Sequence, residues 1–274
     1  MTREQLSERK EAIGFVDATP SELIHNSSDK YICIVLVHYL QIKRNQIDKL
    51  PQFKDSRTLD RKIKIQKKII DYIEKEIISP IGILNFNYKN VALQNGKVIL
   101  KKFTKNENYN FLDKITIGNE EMKYGQSLSL AWYSIVLSKF LMEMGRIAKA
   151  ENKNNVAILL DLLPGDNINS FRNMNTIEFL INNTELEEFQ NLAIQKNNLE
   201  KIGYGYGIKN ESTKELKNSL DYVLTDWIVQ SFYSLLKYEK ENLDIYSSEF
   251  KLSELARYLI KQKTFIIQKA YKLE

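Results

Sequence analysis

The sequence feature that most constrains the fold is a short apolar run that ends in an acid. Residues Val156–Leu160 are all apolar and are followed directly by Asp161. A run of this length and composition is typical of a β-strand that is buried on both faces. Because Pro164–Asn167 then has the composition of a turn, the sequence predicts a central strand with Asp161 at the edge of its sheet, where ligands gather in α/β folds. By itself, Asp161 is either a turn residue or part of a site.

The composition indicates an ordinary soluble globular protein, and we expect one elaborated domain over residues 1–274. Hydrophobic residues make up 43% of the chain and charged residues 27%, which is enough apolar material for a sizeable core. The formal net charge of +5 permits a polyanionic partner without requiring one. The single cysteine, Cys33, excludes a disulfide framework and favours a reducing cytoplasmic setting. The polar N-terminus predicts no signal peptide, and no apolar run approaches the roughly 20 residues that span a bilayer, so we expect no membrane association.

Apolar and β-branched segments predict an antiparallel start to the sheet. Ala12–Val16 and Tyr31–Tyr39 are expected to form the first two strands, joined as a hairpin. The dipeptide Asn95–Gly96 favours a second hairpin, between Ile81–Tyr88 and Lys97–Phe103.

Later segments alternate between helix and strand patterns. Helices are expected at 124–150, Asn173–Leu192, Ser212–Tyr238 and Leu252–Tyr271, and an edge strand or turn at Ile202–Ile208. These elements predict an α/β fold: a single domain with a mixed central sheet flanked by helices. It would carry a helical insertion at about 55–78 and a C-terminal helical extension at about 251–271.

The clearest helix prediction covers Asp55–Ile78 and ends before Ser79–Pro80. Its apolar positions fall on one face: Leu59, Ile63, Ile70, Ile73 and Ile77. Its cations fall on the opposite face: Arg57, Arg61, Lys64, Lys68 and Lys75. A solvated surface is the commoner explanation of such a stripe, and a nucleic-acid backbone bound along Arg57, Arg61, Lys64 and Lys68 is the functional one. The face lacks the aromatic residues that would stack on single-stranded bases.

Several site classes are excluded by what the sequence lacks. The two histidines, His25 and His38, are far apart and have no cysteine or second histidine at ligand spacing, which excludes a paired-histidine zinc motif. The glycine-tyrosine alternation within Ile202–Ile208 lacks the spacing of a dinucleotide loop, and no Walker A sequence occurs. Any catalysis is therefore expected to depend on carboxylates.

Three aspartates occupy positions that one sheet could bring together. Asp17 ends the first predicted strand, Asp161 ends the central strand, and Asp226 lies in the apolar centre of a late helix. An acid in such an apolar run is costly to bury unless it is paired or binds a metal. Three clustered carboxylates repel one another unless a cation neutralises them, and oxygen ligands suit Mg²⁺ or Mn²⁺ rather than zinc. Two such ions about 4 Å apart can support phosphodiester hydrolysis.

The residues around these acids resemble motifs of the ribonuclease H-like (retroviral integrase) superfamily. Phe15–Thr19 stands at the first motif, Ile158–Asp161 at the middle strand and Val223–Ile228 at the last motif. More narrowly, the chain looks like bacterial proteins of unknown function that open with a strand followed by Asp-Glu-Ser and end with a helix bearing a Gln-Leu-Ala-Asp-Leu-type motif. The resemblance covers about residues 11–238. The chain departs from those motifs at Ala18, in place of the glutamate, and at Val223, in place of the glutamine.

The resemblance implies a ribonuclease H-like fold and a Mg²⁺- or Mn²⁺-dependent nuclease or phosphodiesterase, with Asp17, Asp161 and Asp226 as catalytic metal ligands. Asp221 and Asp166 are further candidate ligands. One alternative is a catalytically inactive module of the same fold that binds nucleic acid or a protein partner. A third hypothesis is a purely structural scaffold. Nucleic acid is the expected partner, with a protein partner or a homo-oligomer as further alternatives. The resemblance also suggests a phage-defence or mobile-element setting.

Overall fold

A computed structural model describes residues 11–19, 33–87, 115–117, 120–122, 137–138, 140–160, 175–183, 185–206 and 220–269. The chain divides into two compact units. The first contains Met1–Gly14 and Lys97–Tyr206, and the second contains Phe15–Gly96 and Gly207–Glu274. The expectation of a single domain over 1–274 stays a prediction.

The described elements alternate between strand and helix along much of the chain. The strands are β1 (Glu11–Thr19), β2 (Cys33–Ile42), β3 (Ile78–Asn87), β4 (Ile115–Ile117), β5 (Glu120–Met122), β6 (Asn155–Leu160), β7 (Lys201–Tyr206) and β8 (Phe265–Lys269). The helices are α1 (Leu59–Glu74), α2 (residues 140–150), α3 (Asn175–Asn183), α4 (Leu186–Asn197), α5 (Leu220–Glu241), α6 (Ser248–Leu252) and α7 (Glu254–Lys261). Short 3₁₀ turns occur at Arg44–Gln46 and Phe53–Asp55. None of the helices described is long and apolar enough to cross a membrane.

Strand pairing within each unit gives a mixed α/β architecture. In the first unit the strand order is β7-β6-β1, and β6 runs parallel to β7. In the second unit the order is β1-β2-β3-β8, with β2 antiparallel to β3 and β8 parallel to β3. The α/β fold class with a mixed sheet is therefore confirmed at this level.

The apolar run ending before Asp161 forms β6, as predicted. Val156 and Ile158 are buried, whereas Ala157 and Leu159 on the opposite face are partly exposed. Because successive side chains of a strand point to opposite faces, only one face of β6 belongs fully to the core. The expectation of burial on both faces was correct for one face only. The predicted edge strand is β7, which pairs with β6 at the end of the strand order.

Helix α1 is shorter than predicted at both ends. It begins at Leu59 because the Thr58 Oγ1 atom accepts a hydrogen bond from the Arg61 N–H, and residues Phe53–Asp55 form a separate 3₁₀ turn. It ends at Glu74, and Glu76 follows in the left-handed region with φ of 53°. Ser79–Pro80 does not terminate the helix but lies inside β3.

Proline is tolerated at this point of β3 because of the pairing on its two sides. Pro80 lies opposite Leu40 of β2, whereas β8 pairs only with Gly82–Phe86. Pro80 thus has a strand neighbour on one side, which is the edge-like position where a missing N–H donor costs least.

The buried face of α1 differs from the predicted one. The predicted apolar positions Leu59, Ile63, Ile70, Ile73 and Ile77 are each only partly buried. The fully buried positions are Ile65, Gln66, Ile69 and Tyr72. The helix packs against β3, α6 and α7, and this packing, rather than the isoleucine spacing, selects the buried face. The cations Arg57, Arg61 and Lys64 nevertheless remain exposed, as expected.

The predicted C-terminal helical extension at about 251–271 is corrected by the structure. Helices α6 and α7 occupy its first part, but Phe265–Lys269 forms β8, parallel to β3. The helix ends because Lys263 adopts the left-handed region, with φ of 57°. The apolar and β-branched residues that follow then pair with a strand far away in the sequence.

Other predicted elements are found with shifted bounds, or fall outside the described residues. The segment predicted as one helix at Asn173–Leu192 forms two helices, α3 and α4, and the late helix is α5. In the predicted helix 124–150, residues 137–138 and 140–150 are helical. Lys97–Phe103, predicted as the second strand of a hairpin with Ile81–Tyr88, lies outside the described residues.

A buried polar network joins α1 and α5 to the junction between α6 and α7. The Gln66 side chain donates to the Leu252 carbonyl and accepts from the Leu255 N–H. The Ser231 hydroxyl donates to the same carbonyl at 2.9 Å and accepts from the Ala256 N–H at 2.9 Å. Both side chains are fully buried. They therefore cap the first turn of α7 from neighbouring helices, a role that the Ser253 side chain does not fill.

Candidate functional site

Of the three predicted metal ligands, Asp17 and Asp226 lie within the described residues. Asp17 lies inside β1, two residues before the strand ends at Thr19. Asp161 follows β6 directly and lies outside the described residues, as does Asp166. Asp226 lies in α5, and so does Asp221, whose side chain is outside the description. Of the three predicted ligands, Asp226 is therefore the one whose side-chain contacts are described.

Asp226 is a half-buried acid on an otherwise apolar stretch of α5. Its helical neighbours Val223, Leu224, Trp227 and Ile228 are all buried. The Asp226 Oδ2 atom accepts a hydrogen bond of 2.8 Å from the backbone N–H of Phe53, which lies 173 residues away in sequence. Among the described residues, no hydrogen bond reaches the second oxygen, Oδ1. The buried acid is therefore partly satisfied by the backbone of the 3₁₀ turn.

The same helix holds the segment Pro51–Asp55 at two further points. The Trp227 indole Nε1 donates to the Pro51 carbonyl at 2.8 Å. The Trp227 and Phe53 rings meet edge to face, with centroids 4.9 Å apart and planes at 72°. On the other side, the Lys62 Nζ atom lies 3.9 Å from the centroid of the Phe53 ring. We call these contacts of Asp226, Trp227 and Lys62 with the segment the Phe53 clamp.

Burial sets the ionisation of Asp226. Desolvation raises the pKa of its carboxyl above the ordinary value of 3.8. The Phe53 N–H and the positive charges of Lys54 and Lys62 oppose this rise, and Asp55 adds to it. The folded protein therefore binds a proton at Asp226 more readily than the unfolded chain does.

This pKa shift predicts a pH dependence of stability that Asp226→Asn should remove. Between pH 3.8 and the raised value the folded state carries more protons, so the free energy of unfolding of the wild type falls as pH rises through that window. Asparagine has no such titration and keeps an oxygen that accepts from the Phe53 N–H. We expect urea unfolding at a series of pH values to give a flatter profile for Asp226→Asn. A profile parallel to that of the wild type would contradict the assignment.

A metal centre is not assembled by the side chains that are described. Within that part of the chain, no group of three or more histidine, cysteine, aspartate or glutamate side chains is positioned to hold a metal ion. Carboxylates are the ligands that Mg²⁺ prefers, and Asp226 has an oxygen without a hydrogen bond among the described residues. The ligand set of Asp17, Asp161 and Asp226 therefore stays a prediction.

The cations predicted on α1 fall into two groups. Arg57, Arg61 and Lys64 are exposed, and no ion pair joins them to an acid among the described residues. Lys68 is 2.6 Å from Asp48 and Lys75 is 2.8 Å from Asp71, so both of these cations have an acidic partner. We call Arg57, Arg61 and Lys64 the cationic face. Lys54, on the Pro51–Asp55 segment, is also exposed.

Sequence reasoning identified the cations and Asp226 but missed the residues that fix them in place. Pro51 and Phe53 carry no pattern that connects them to a helix about 170 residues later. The adjacent apolar residue Trp227 offered one local signal, since a buried tryptophan N–H needs an acceptor. Gln66 was missed because it falls between the isoleucines that were used to orient the helix.

No protein-family model, curated protein or solved structure gives a significant match to this chain.

Proposed function

We propose that this protein binds nucleic acid through the cationic face. Arg57 lies two residues before α1, Arg61 and Lys64 lie in its first two turns, and all three are exposed. The observation that carries the proposal is that these three cations have no acidic partner among the described residues. An exposed cluster of cations without acidic partners among the described residues is the kind of surface that binds the phosphate backbone of nucleic acid.

The chemistry of the cationic face favours contact with phosphates rather than bases. Arginine and lysine neutralise phosphate charge and release counterions, which makes binding salt-dependent but not sequence-dependent. The nearby aromatic ring, Phe53, is packed between Trp227 and Lys62 and is thus committed to the clamp. We therefore expect affinity for the backbone without strong base preference.

The experiment is a fluorescence-anisotropy titration of the full-length protein with labelled single-stranded DNA, double-stranded DNA and RNA of mixed sequence. The proposal predicts binding that weakens steadily as salt concentration is raised. Failure of all three probes to bind at low salt would contradict it.

A second candidate function is metal-dependent phosphodiester cleavage in a ribonuclease H-like fold. The mixed sheet supports the proposed fold, and the Oδ1 oxygen of Asp226, which accepts no hydrogen bond from the described residues, supports the proposed activity. Asp17, Asp161 and Asp226 would be the Mg²⁺ or Mn²⁺ ligands, and the cationic face would hold the substrate backbone. The hydrogen bond from Phe53 already gives Asp226 a role in the fold, which is compatible with the catalytically inactive binding module as well as with the nuclease.

The nuclease candidate predicts loss of cleavage in Asp161→Asn and Asp226→Asn. If the carboxylates bind the metal, the wild type should cut labelled DNA or RNA with Mg²⁺ or Mn²⁺, and EDTA or either substitution should lower the rate by at least about a hundredfold. Gel assays of the three proteins measure this directly. Equal cleavage by all three, or no cleavage by the wild type with either metal, would rule out the nuclease and leave the binding module.

A further inference from the structure

The cationic residues at the start of α1 are positioned in two different ways. Arg61 and Lys64 belong to the helix, whose buried residues Ile65 and Ile69 and buried Gln66 fix it against its neighbours. Lys54 lies on the Pro51–Asp55 segment and Arg57 lies between that segment and the helix. Neither of these two cations is inside the regular part of α1.

The Phe53 clamp supplies the order that this segment lacks on its own. A 3₁₀ turn of three residues has few internal hydrogen bonds, and the segment Pro51–Asp55 is only partly buried. Four contacts hold it: the Asp226 carboxylate accepts from the Phe53 N–H, the Trp227 indole donates to the Pro51 carbonyl, the Trp227 ring meets the Phe53 ring edge to face, and the Lys62 ammonium lies over the Phe53 ring. Three of these four contacts come from the adjacent residues Asp226 and Trp227 of α5.

We propose that Asp226 is a positioning residue for nucleic-acid binding, acting through the Phe53 N–H to hold Lys54 and Arg57 in place beside Arg61 and Lys64. This inference rests on the proposed binding function. Its physical basis is preorganisation: a segment that is already ordered loses less conformational entropy when its cations contact phosphate. The role requires an oxygen acceptor at this position and does not require a negative charge.

The test compares Asp226→Val, which removes the acceptor at similar size, with Asp226→Asn, which keeps one. We expect Asp226→Val to weaken binding of labelled mixed-sequence DNA about fivefold, and Asp226→Asn to rescue most of that loss. Trp227→Phe, which removes the indole donor to Pro51 and reduces the buried ring that meets Phe53, should lower affinity in the same direction. Circular dichroism of each variant confirms that it is folded.

A double-mutant cycle separates positioning from general destabilisation. In a background that carries Lys54→Ala and Arg57→Ala, the effect of Asp226→Val should disappear, because the positioned cations are gone. In a background that carries Arg61→Ala and Lys64→Ala, the effect should persist. An equal effect in both backgrounds would overturn the inference.

A second readout does not depend on nucleic acid. Trypsin cleaves after lysine and arginine, so loosening the segment should speed cleavage after Lys54 and Arg57 in Asp226→Val, with Asp226→Asn close to the wild type. Unchanged cleavage in Asp226→Val would overturn the inference, as would binding by this variant equal to that of the wild type. The inference would also be overturned if Asp226→Asn lost as much affinity as Asp226→Val, because the negative charge of Asp226 would then be required. A wild type that binds no nucleic acid would overturn the proposed function and the inference together.

Discussion

Replacing Arg57, Arg61 and Lys64 together with alanine should weaken nucleic-acid binding about 10- to 100-fold at low salt. Each phosphate contact releases counterions and so favours binding, and the triple variant loses three such contacts. Plotted as the logarithm of affinity against the logarithm of salt concentration, the slope should become shallower by about one for each cation removed. The fold should survive, since all three side chains are exposed and have no ion pair with an acid among the described residues. Anisotropy titrations at several salt concentrations give both quantities.

The matched control removes the same charge elsewhere. Lys149, Lys196 and Lys201 are exposed residues of the first unit, and their joint replacement with alanine lowers the net charge equally. We expect this control to change affinity only slightly. Lys68→Ala should likewise have a smaller effect than Lys64→Ala, because Lys68 already pairs with Asp48 at 2.6 Å. A triple variant and a control with equal losses of affinity would show that net charge, not this face, is responsible.

Gln66→Leu should lower the free energy of unfolding by about 2–3 kcal/mol, the typical cost of leaving a buried donor without a partner. Leucine fills a similar volume but cannot accept from the Leu255 N–H at the start of α7. The Leu252 carbonyl loses one of its donors and keeps Ser231. The penalty should therefore come mainly from the first turn of α7. Urea denaturation followed by circular dichroism measures it.

The control for this substitution is Gln195→Leu. Gln195 is exposed on α4 and makes no side-chain hydrogen bond among the described residues. We expect it to change the free energy of unfolding by no more than about 0.5 kcal/mol. If Gln66→Leu were equally mild, the capping of α7 by α1 would not contribute to stability.

Local sequence signals predicted those parts of the fold that depend on local periodicity. The apolar run of β6, the existence of β2 and β3 as strands, and the existence of α1 and α5 were all visible in the spacing of apolar residues. The antiparallel pairing of β2 with β3 was not predicted. Strand β8 was missed because its apolar residues fit a helix as well as a strand. The choice depends on pairing with Gly82–Phe86 of β3, which no local pattern encodes.

The candidate site shows the same division between local and long-range information. The stripe of cations on α1 could be found from helical spacing, and Asp226 stood out as an acid in an apolar run. The partner of Asp226 could not be found, because the Phe53 N–H is a backbone group 173 residues away. The buried face of α1 could not be predicted either, because Gln66 is buried through hydrogen bonds to a helix junction that is distant in sequence.

The central claim is that nucleic acid lies on the cationic face, and lysine footprinting tests it most directly. The protein is treated with an acetylating reagent with and without saturating mixed-sequence DNA, and each lysine is quantified by mass spectrometry. We predict that DNA protects Lys54 and Lys64, while Lys149 and Lys196 react equally in both samples. Protection confined to Lys149 and Lys196, or no protection at Lys64 under conditions where DNA is bound, would contradict the account.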